Sequence, residues 1–384
     1  MWGMDPGVPV IWIAGEPRRI QDFKARGIGL NGQARLVTLG PAGDPAPDLV
    51  LDAGLDLALA WETCPDELRP QACVNLDHPA PKGLDCLPCP VLGWGEAPAP
   101  EGILPPDPQE AGRQLLAACG QGLDLPWLDR LQVNLPLRDL LGRFRHLAGP
   151  SQINFEIGLD AEALDTLTPA DLDQAKELLA GRRLTVHLPF LDLVPGSSDP
   201  MIRKAAAARL DRACDWGLEL GAIQAVAHLG FDIRAHYDIP AFTRRFLQII
   251  TPMAQKLAQS GCRLALENTF EPGPEPLLAA AQGLDAAGVE VGFCLDVGHC
   301  LCFSSTSLQD WWAALSGRLW ELHLHDNDGR SDRHWPPGWG EVDWDFLGSA
   351  LQRLELSPVL TIEPHHKPHL WAFARGLTRV WGGP

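Results

Sequence analysis

The chain has 384 residues, 46% of them hydrophobic, and a formal net charge of −18 at pH 7. This hydrophobic fraction is typical of globular proteins and excludes wholesale disorder, and the length exceeds that of one small domain. The excess of 49 acidic over 31 basic residues opposes binding to a phosphate backbone unless metal ions or a local basic patch reverse the field.

Targeting and redox signals are few. The sequence lacks an uninterrupted apolar run of roughly 18 residues, so no membrane span is predicted. The start of the chain lacks the basic segment of a secretory signal. The ten cysteines lie at irregular spacings, which indicates reduced thiols rather than a disulfide framework. We therefore expect a cytoplasmic protein.

The N-terminal third is rich in proline and glycine and contains short apolar runs. The predicted strands are Val10–Ala14, Arg35–Leu39 and Val91–Trp94, with a helix predicted over Pro17–Arg26. Strand-like runs with a helix between them favour a small α/β unit. The sequence thus predicts a small α/β domain of unknown role over residues 1–125 and a second domain over residues 126–384.

A regular pattern of apolar runs begins at Leu131. Eight runs are predicted as strands: Leu131–Leu135, Ile153–Ile157, Leu184–Leu188, Ile223–His228, Cys262–Glu267, Val291–Leu295, Leu319–Leu324 and Val359–Glu363. Helix-like segments separate them, which indicates a parallel sheet with crossover helices. Eight such units over about 250 residues match a closed (β/α)8 TIM barrel. An open doubly wound sheet would bring a glycine-rich phosphate turn after its first strand, and none follows Leu131–Leu135.

The helix-like segments carry recognisable start signals. They are Leu137–Leu147, Pro169–Leu179, Met201–Leu220, Ala241–Ser260, Glu275–Ala287, Ser307–Leu315 and Trp344–Leu354. Thr168-Pro169 and Asp199-Pro200 combine a capping side chain with a proline at the first helical position, which is a strong start signal.

Ionisable residues end seven of the predicted strands. They are Glu156, His187, His228, Glu267, Asp296, His323 and Glu363, and His299, His325, Asp332 and His334 follow in the adjoining segments. The carboxyl ends of barrel strands meet at one mouth, where TIM-barrel enzymes have their active sites. Buried charges there lose their hydration unless they are paired, bound to metal or neutralised. A set of His, Asp and Glu without Cys suits Zn, Mn or a similar divalent ion, and its size allows more than one.

Each residue alone also has a structural interpretation. His187 and His228 fit satisfied structural histidines, Asp296 fits a helix cap, and Glu267 with Asn268 fits a buried hydrogen-bonded pair. The convergence of so many strands on one mouth favours the metal site over these separate explanations. Beside the ligand-type residues, Trp335 is expected to stack on a sugar or base.

These motifs are similar to those of a known family. They are Val186-His187-Leu188-Pro189-Phe190, Ala227-His228-Leu229-Gly230, Leu266-Glu267-Asn268-Thr269, Leu295-Asp296-Val297-Gly298-His299, His323-Leu324-His325-Asp326-Asn327, Asp332-Arg333-His334 and Gly338-Trp339-Gly340-Glu341-Val342-Asp343-Trp344. From Leu131 onward the chain resembles the xylose-isomerase-like TIM-barrel superfamily. That superfamily contains sugar phosphate isomerases and epimerases and the endonuclease IV type of apurinic endonuclease (AP endonuclease family 2).

The resemblance implies two competing activities. Isomerases and epimerases use one divalent metal, here held by Glu267, Asp296, His323 and Glu363. The two glutamates then act as catalytic acid and base. Endonuclease IV-like enzymes hold three zinc ions with five more ligands, here His187, His228, His299, Asp332 and His334. Because a one-metal isomerase has no evident need for these five residues, our main expectation is hydrolysis of a phosphoester at a two- or three-metal site. The isomerase/epimerase is the alternative.

The predicted partner is a small molecule. The mouth loops offer only Arg203, Lys204, Arg330, Arg333 and Lys367 as basic residues, which is sparse for duplex DNA and suits a small phosphorylated or sugar-like substrate. We expect Glu156, Asn268, His325 and Trp335 to contact that substrate or support the metal ligands. The cofactor is expected to be one to three divalent metals, Zn or Mn. A DNA-repair nuclease and a non-catalytic binding barrel are the lesser alternatives, and nothing in the sequence indicates an oligomeric state.

Overall fold

The computed structural model describes residues 130–142 and 154–364 with their side chains, together with Phe373, Gly376, Leu377, Val380 and Trp381. N-terminal to these residues it describes the backbone of five strands. The described strands form two sheets that belong to two compact units.

The N-terminal sheet is parallel in each of its strand pairs. Its strands are β1 (Val10–Ala14), β2 (Arg35–Leu39), β3 (Val50–Leu51), β4 (Ala72–Asn75) and β5 (Val91–Gly93), in the order β3-β2-β1-β4-β5. β1, β2 and β5 coincide with predicted strands, whereas β3 and β4 were not predicted. The predicted helix Pro17–Arg26 lies outside the described residues. The small α/β domain and its boundary at residue 125 therefore stay predictions.

The second sheet is a closed barrel of eight parallel strands, which confirms the predicted TIM barrel. Its strands are β6 (Leu131–Pro136), β7 (Asn154–Gly158), β8 (Leu184–His187), β9 (Gln224–His228), β10 (Arg263–Glu267), β11 (Gly292–Asp296), β12 (Leu319–Leu324) and β13 (Val359–Ile362). All eight predicted runs coincide with these strands to within a residue or two. β13 pairs with β6 and closes the ring.

Nine helices lie in the described part of the barrel unit. They are α1 (Leu137–Leu141), α2 (Ala161–Thr166), α3 (Pro169–Leu179), α4 (Pro200–Leu220), α5 (Ile239–Gln259), α6 (Glu275–Ala286), α7 (Val297–Cys302), α8 (Leu308–Leu315) and α9 (Trp344–Arg353). The short helices α2 and α7 were not predicted. α7 starts directly after β11, with Asp296 both ending the strand and capping the helix, so no turn residue marks the junction.

Local signals explain why the long helices were predictable. Asp199 caps α4 by accepting a hydrogen bond from the Met201 amide at 2.7 Å. The same helix ends at Gly221, whose φ of 83° is a left-handed conformation that glycine adopts without strain. Thr168 and Asp171 form a reciprocal capping box at the start of α3. None of the helices in the described part of the chain has the length and apolar character needed to cross a bilayer.

The register of the barrel strands determines which side chains face each other. His228 pairs with Glu267 across β9 and β10, and Asp296 pairs with His323 across β11 and β12. Because side chains alternate along a strand, Glu321 shares the inner face of β12 with His323. The barrel interior therefore carries polar residues in successive levels, with the strand-end residues nearest the mouth.

Candidate active site

Glu267 lies at the centre of one side of the mouth. One of its carboxylate oxygens, Oε2, is 3.0 Å from Nε2 of His187 and 3.0 Å from Nε2 of His228. The Nδ1 atom of His187 is 2.9 Å from the Leu188 carbonyl, a contact that orients the ring. A carboxylate shared by two oriented histidines is an arrangement typical of metal centres.

His323 lies deeper, and the Nδ1 side of its ring faces three carboxylates. Its Nδ1 atom is 3.3 Å from both Glu267 and Glu363 and 3.9 Å from Asp296. The ring is completely buried, yet neither nitrogen has a hydrogen-bond partner among the described residues. Buried polar atoms are normally satisfied, so this centre has the character of a site built for a bound group.

A third group of side chains comes from α7 and from the loop after β12. Asp332 Oδ2 is 3.0 Å from His334 Nε2 and 3.5 Å from His299 Nε2. The Nδ1 atom of His334 is 3.0 Å from the backbone carbonyl of Glu363. His334 has a φ of 47°, an uncommon conformation for this residue type, so the loop holds its ring in place at some backbone cost.

Asn268 and His325 support Asp296. The Asn268 amide donates to the Asp296 carbonyl at 3.0 Å and accepts from its backbone N–H at 2.8 Å. His325 Nε2 is 3.0 Å from Asp296 Oδ2, and its ring stacks on His334 at a centroid distance of 3.8 Å. A Cβ at Gly298 would collide with the His325 ring, so glycine permits this close approach.

Glu156 contacts the site from within the barrel. It accepts a hydrogen bond from Asn134 Nδ2 at 2.7 Å, and its Oε1 atom is 3.3 Å from Nε2 of His323. The side chain is completely buried. Trp335 is held through its backbone, which pairs with that of Asp326 in both directions. Contact of either residue with a substrate stays a prediction.

Burial and neighbouring charges shift the protonation of the site. Burial alone would lower the pKa of His187, but the hydrogen bond to Glu267 raises it to about 9. His299 is likewise buried, and Asp296 and Asp332 raise its pKa to about 10. Burial raises the pKa of Glu363 to about 7, although His323 and His334 partly oppose the shift. The histidines pull the pKa of Glu267 well below its ordinary range despite its burial.

The structure brings all nine predicted metal-binding residues into these adjoining groups. They are His187, His228, Glu267, Asp296, His299, His323, Asp332, His334 and Glu363. Several sets of three or four ligand atoms lie within 4.8 Å of one another, among them Asp296 with His323 and Glu363. Imidazole and carboxylate donors match zinc or manganese, and the Nδ1 atom of His323, which has no hydrogen-bond partner among the described residues, fits a metal ligand. Their role as ligands stays a prediction.

Comparison with known proteins identifies the family. The family described as xylose isomerase-like TIM barrel matches residues 154–379, more than half of the chain. This chain belongs to the xylose isomerase-like TIM barrel family. The match confirms the resemblance inferred from the motifs and agrees with the closed eight-stranded barrel.

Two solved structures show how far the likeness extends. The TTHB071 protein of Thermus thermophilus, from crystals soaked with ZnCl2, is 30% identical, with a TM-score of 0.54 over 66% of this chain and 99% of that one. D-psicose 3-epimerase, solved in the presence of D-fructose, shares the fold at 17% identity and a TM-score of 0.52, over 66% of this chain and 99% of that one.

A curated relative aligns over a shorter stretch. Uncharacterized protein MJ1311 of Methanocaldococcus jannaschii is 23% identical over 189 residues, which make up 47% of this chain and 64% of that protein. The match thus spans less than two thirds of the relative's length.

Three buried acids of the barrel unit, Glu271, Glu321 and Asp326, were not predicted as site residues from the sequence. Glu321 lies two residues before His323 on the same strand face, so the period of two along β12 could have revealed it. Asp326 accepts hydrogen bonds from the Gly338 and Val342 amides and from the Trp344 indole, at 2.8 to 3.0 Å. These partners are separated from Asp326 by a long loop, so no local pattern marks its role.

Proposed function

We propose that the barrel is a divalent-metal-dependent isomerase or epimerase of a small sugar-like substrate. One observation carries the proposal: oxygens of Glu267, Glu363 and Asp296 converge on a single nitrogen of His323, at 3.3, 3.3 and 3.9 Å. The shared fold with D-psicose 3-epimerase supports this chemistry over phosphoester hydrolysis, which was our main expectation from the sequence.

The ligand set supports a central metal ion. Glu267, Asp296, His323 and Glu363 would hold the ion, and the ZnCl2 soak of the relative at 30% identity makes zinc a suitable candidate. When bound, a divalent ion polarises a carbonyl or hydroxyl oxygen of the substrate. Glu156 would hold the His323 ring from its opposite nitrogen, 3.3 Å away, so that the remaining nitrogen faces the ion.

Glu363 is the better candidate for the general base. Burial raises its pKa to about 7 in the metal-free protein, and a bound cation would lower that pKa, so the exposure of Glu363 is what distinguishes it from Glu267. Its side chain is about 10% exposed, against 1% for Glu267, so Glu363 reaches further toward an incoming substrate. Glu267 has a lowered pKa and stays ionised, which suits a metal ligand. In this proposal Glu363 takes a proton from the carbon next to the carbonyl. Isomerisation returns that proton to the neighbouring carbon, whereas epimerisation needs an acid on the opposite face of the substrate, a role that the resemblance gives to Glu267.

Hydrolysis of a phosphoester is the second candidate, and a separate observation favours it. His187 and His228 contact Glu267 at 3.0 Å, and Asp332 joins His299 and His334, so donors for further ions flank the central group. Clustered metals suit phosphoester cleavage because they activate water and neutralise both the attacking and the leaving oxygen. A one-metal epimerase has no evident use for these residues.

Metal analysis combined with two activity assays separates the candidates. The protein would be loaded with Zn or Mn, and bound metal would be counted. Incorporation of deuterium from D2O into ketoses, monitored by NMR, tests for epimerase activity. Release of nitrophenol from bis(p-nitrophenyl) phosphate tests for hydrolase activity. One ion per chain with ketose exchange supports our proposal. Two or three ions with phosphodiesterase activity and no exchange would overturn it in favour of hydrolysis.

Two substitutions sharpen the distinction. His187→Ala and His334→Ala remove donors outside the central group while leaving Glu267, Asp296, His323 and Glu363 in place. The epimerase predicts an activity loss within about 10-fold for both variants, whereas a multinuclear hydrolase predicts near-complete loss. If the wild-type protein binds neither Zn nor Mn and gains no thermal stability from either ion, both the epimerase and the hydrolase are refuted. That result would favour a non-catalytic barrel.

A further inference from the structure

Glu271 is a buried acid that the proposed reaction does not use. It lies in the segment between β10 and α6, and its side chain is fully buried. Its Oε2 atom accepts a hydrogen bond from the Thr269 amide at 2.6 Å, whereas Oε1 has no hydrogen-bond partner among the described residues. Burial raises the pKa of Glu271 to about 7, although the hydrogen bond from Thr269 opposes the shift. Burying a carboxyl group that is only half satisfied is costly, so its place beside the site requires an explanation.

The residue before Thr269, Asn268, holds two residues of the candidate metal centre. The Asn268 side chain donates to the Asp296 carbonyl at 3.0 Å and accepts from the Asp296 amide at 2.8 Å. The backbone carbonyl of Asn268 is 2.9 Å from Nδ1 of His299, and because a carbonyl oxygen only accepts, Nδ1 carries the proton. Asn268 therefore joins the end of β10 to both the end of β11 and the helix α7.

The far end of the same segment is also fixed to the region after α7. The Pro272 carbonyl is 2.8 to 3.0 Å from the hydroxyl oxygens of Ser304, Ser305 and Thr306. Without its Glu271 acceptor, the Thr269 amide would be buried and unsatisfied, which favours a rearranged turn. Because the hydroxyl groups hold the Pro272 end, such a rearrangement displaces the other end, where Asn268 lies.

We propose that Glu271 is a positioning residue of the metal centre: its carboxylate fixes the turn after β10 and thereby holds Asn268 against Asp296 and His299. The inference rests on the proposed metal-dependent function, to which it adds a residue that touches neither ion nor substrate. Partners behind a metal ligand determine which of its atoms faces the ion. Here the Asn268 carbonyl occupies Nδ1 of His299, which leaves Nε2 facing Asp332 at 3.5 Å.

Two uncharged substitutions of similar volume isolate the hydrogen bond. Glu271→Met keeps an unbranched side chain in the same space but removes the acceptor, whereas Glu271→Gln keeps an acceptor for the Thr269 amide. Zinc affinity would be measured by competition with a chromogenic chelator. We expect Glu271→Met to weaken zinc binding by about 10-fold, and Glu271→Gln to stay within about 3-fold of the wild type. Equal zinc affinities of the two variants would overturn the inference.

A double-mutant cycle with Asn268→Ala tests whether Glu271 acts through Asn268. If it does, Glu271→Met should weaken zinc binding by only about 3-fold or less in protein that already lacks the Asn268 side chain. A residue that merely stabilises the fold would show no such coupling. The same 10-fold loss in both backgrounds, expected for independent sites, would therefore contradict a positioning role.

Leu179→Ala controls for general destabilisation. Leu179 is a buried residue at the end of α3, at the end of the barrel where β8 begins, so its truncation lowers stability away from the mouth. The zinc affinity of this variant should match that of the wild type. A loss equal to that of Glu271→Met would mean that destabilisation alone weakens zinc binding, and the positioning role would be refuted.

A measurement on metal-free protein separates this inference from the proposed function. Exchange of the His299 Nδ1 proton with water would be followed by NMR, with His299→Ala to assign the signal. We expect the exchange to be about 10-fold faster in Glu271→Met and close to wild type in Glu271→Gln. Unchanged exchange in Glu271→Met would show that the turn does not depend on Glu271. Wild-type protein that retains no zinc would refute the metal-dependent function, whereas the exchange result would still decide the role of Glu271.

Discussion

The barrel interior contains two buried polar groups, a lower group around Glu321 and an upper group around His323. They differ in how their charges are satisfied. In the lower group, Glu321 accepts hydrogen bonds from Gln132 at 2.7 Å, from Gln224 at 2.5 Å and from the Thr361 hydroxyl. In the upper group, His323 faces Glu267 and Glu363 without a hydrogen-bond partner on either nitrogen within the described residues.

Both groups are removed from water, but only in the lower group does the protein satisfy the ionisable side chain, because both oxygens of Glu321 accept hydrogen bonds even though Gln132 Oε1 and Gln224 Oε1 have no partner among the described residues. Burial followed by repulsion from Glu156 raises the pKa of Glu321 to about 8, so a proton can neutralise it near physiological pH. The upper group brings several carboxylates and imidazoles together. Some of their buried polar atoms, such as both ring nitrogens of His323, have no hydrogen-bond partner in the part of the chain that the structure describes. A buried charge is thus not sufficient to identify a functional site. A buried ionisable side chain that has no hydrogen-bond partner is the more informative feature.

The largest effect is expected from Glu267→Gln in the upper group. Loss of the carboxylate removes the partner of His187 and His228 and one donor of the proposed metal cage. We expect loss of bound metal and a fall in activity of roughly 1000-fold or more, measured by metal analysis and turnover. Glu341→Gln, at an exposed side chain between β12 and α9, is the matched control and should keep both the bound metal and the activity. Full metal content in the Glu267 variant would contradict the cage.

Glu321→Ala in the lower group should affect folding rather than metal binding. The substitution removes the acceptor of Gln224 and of the Thr361 hydroxyl and one of the acceptors of Gln132, and it opens a cavity. We expect the free energy of unfolding to fall by about 3 kcal/mol, measured by urea denaturation, with metal stoichiometry unchanged. Glu321→Gln should cost less, because it keeps the volume and one acceptor. Lost metal in a folded Glu321 variant would mean that the two groups are not independent.

Gly298→Ala tests the packing that joins α7 to His325. A Cβ at this position meets the His325 ring, which must then move away from Asp296. We expect a loss of about 1–3 kcal/mol in stability and weaker metal binding. Gly317→Ala is the control, since nothing lies within 4 Å of a Cβ there. Equal behaviour of the two variants would argue against a role for the His325 position.

The smallest effect concerns pH. His187 and His299 have ordinary pKa values of 6.5 that the fold raises to about 9 and about 10, so the folded metal-free protein binds more protons than the unfolded chain across that range. The contribution of these two histidines to stability is therefore fully present below pH 6.5 and is lost as the pH rises toward 9 and 10. Raised pKa values of about 7 for Glu363 and about 8 for Glu321 act in the same direction above pH 4.5.

The melting temperature of metal-free protein, followed by scanning fluorimetry between pH 6 and pH 9, measures this dependence. Metal bound at the site competes with those protons. The melting temperature of zinc-loaded protein should therefore rise relative to that of metal-free protein as the pH rises. A melting temperature of metal-free protein that increases over this range would contradict the assigned contacts.

The sequence predicted the barrel well because each strand and most helices carry local signals. Asp199-Pro200 and Gly221 delimit α4, and alternating apolar runs mark the strands. The site residues were predictable because parallel strands bring their carboxyl ends together, so Glu267 and Asp296 had to share a mouth. The short helix α7 was missed because it follows β11 without a turn.

Other features of the site depend on long-range contacts, which periodic patterns in the sequence do not predict. Asp326 binds groups up to eighteen residues away, and the exposure of Phe190 and Phe270 follows from what fails to cover them. The number of metal ions that the site binds depends on how charged side chains balance one another at distances of 3 to 4 Å. The residue types alone do not determine those distances.

Asp326 anchors the loop that carries Asp332 and His334 through protein contacts alone, with its own side chain fully buried. These contacts hold the C-terminal part of the loop without using Asp332 or His334, so the protein itself offsets part of the entropy cost of ordering the loop. Departure of an ion would likewise leave the donors where they stand. Such a centre is expected to exchange and reload metal without local refolding, at rates set by access through the mouth.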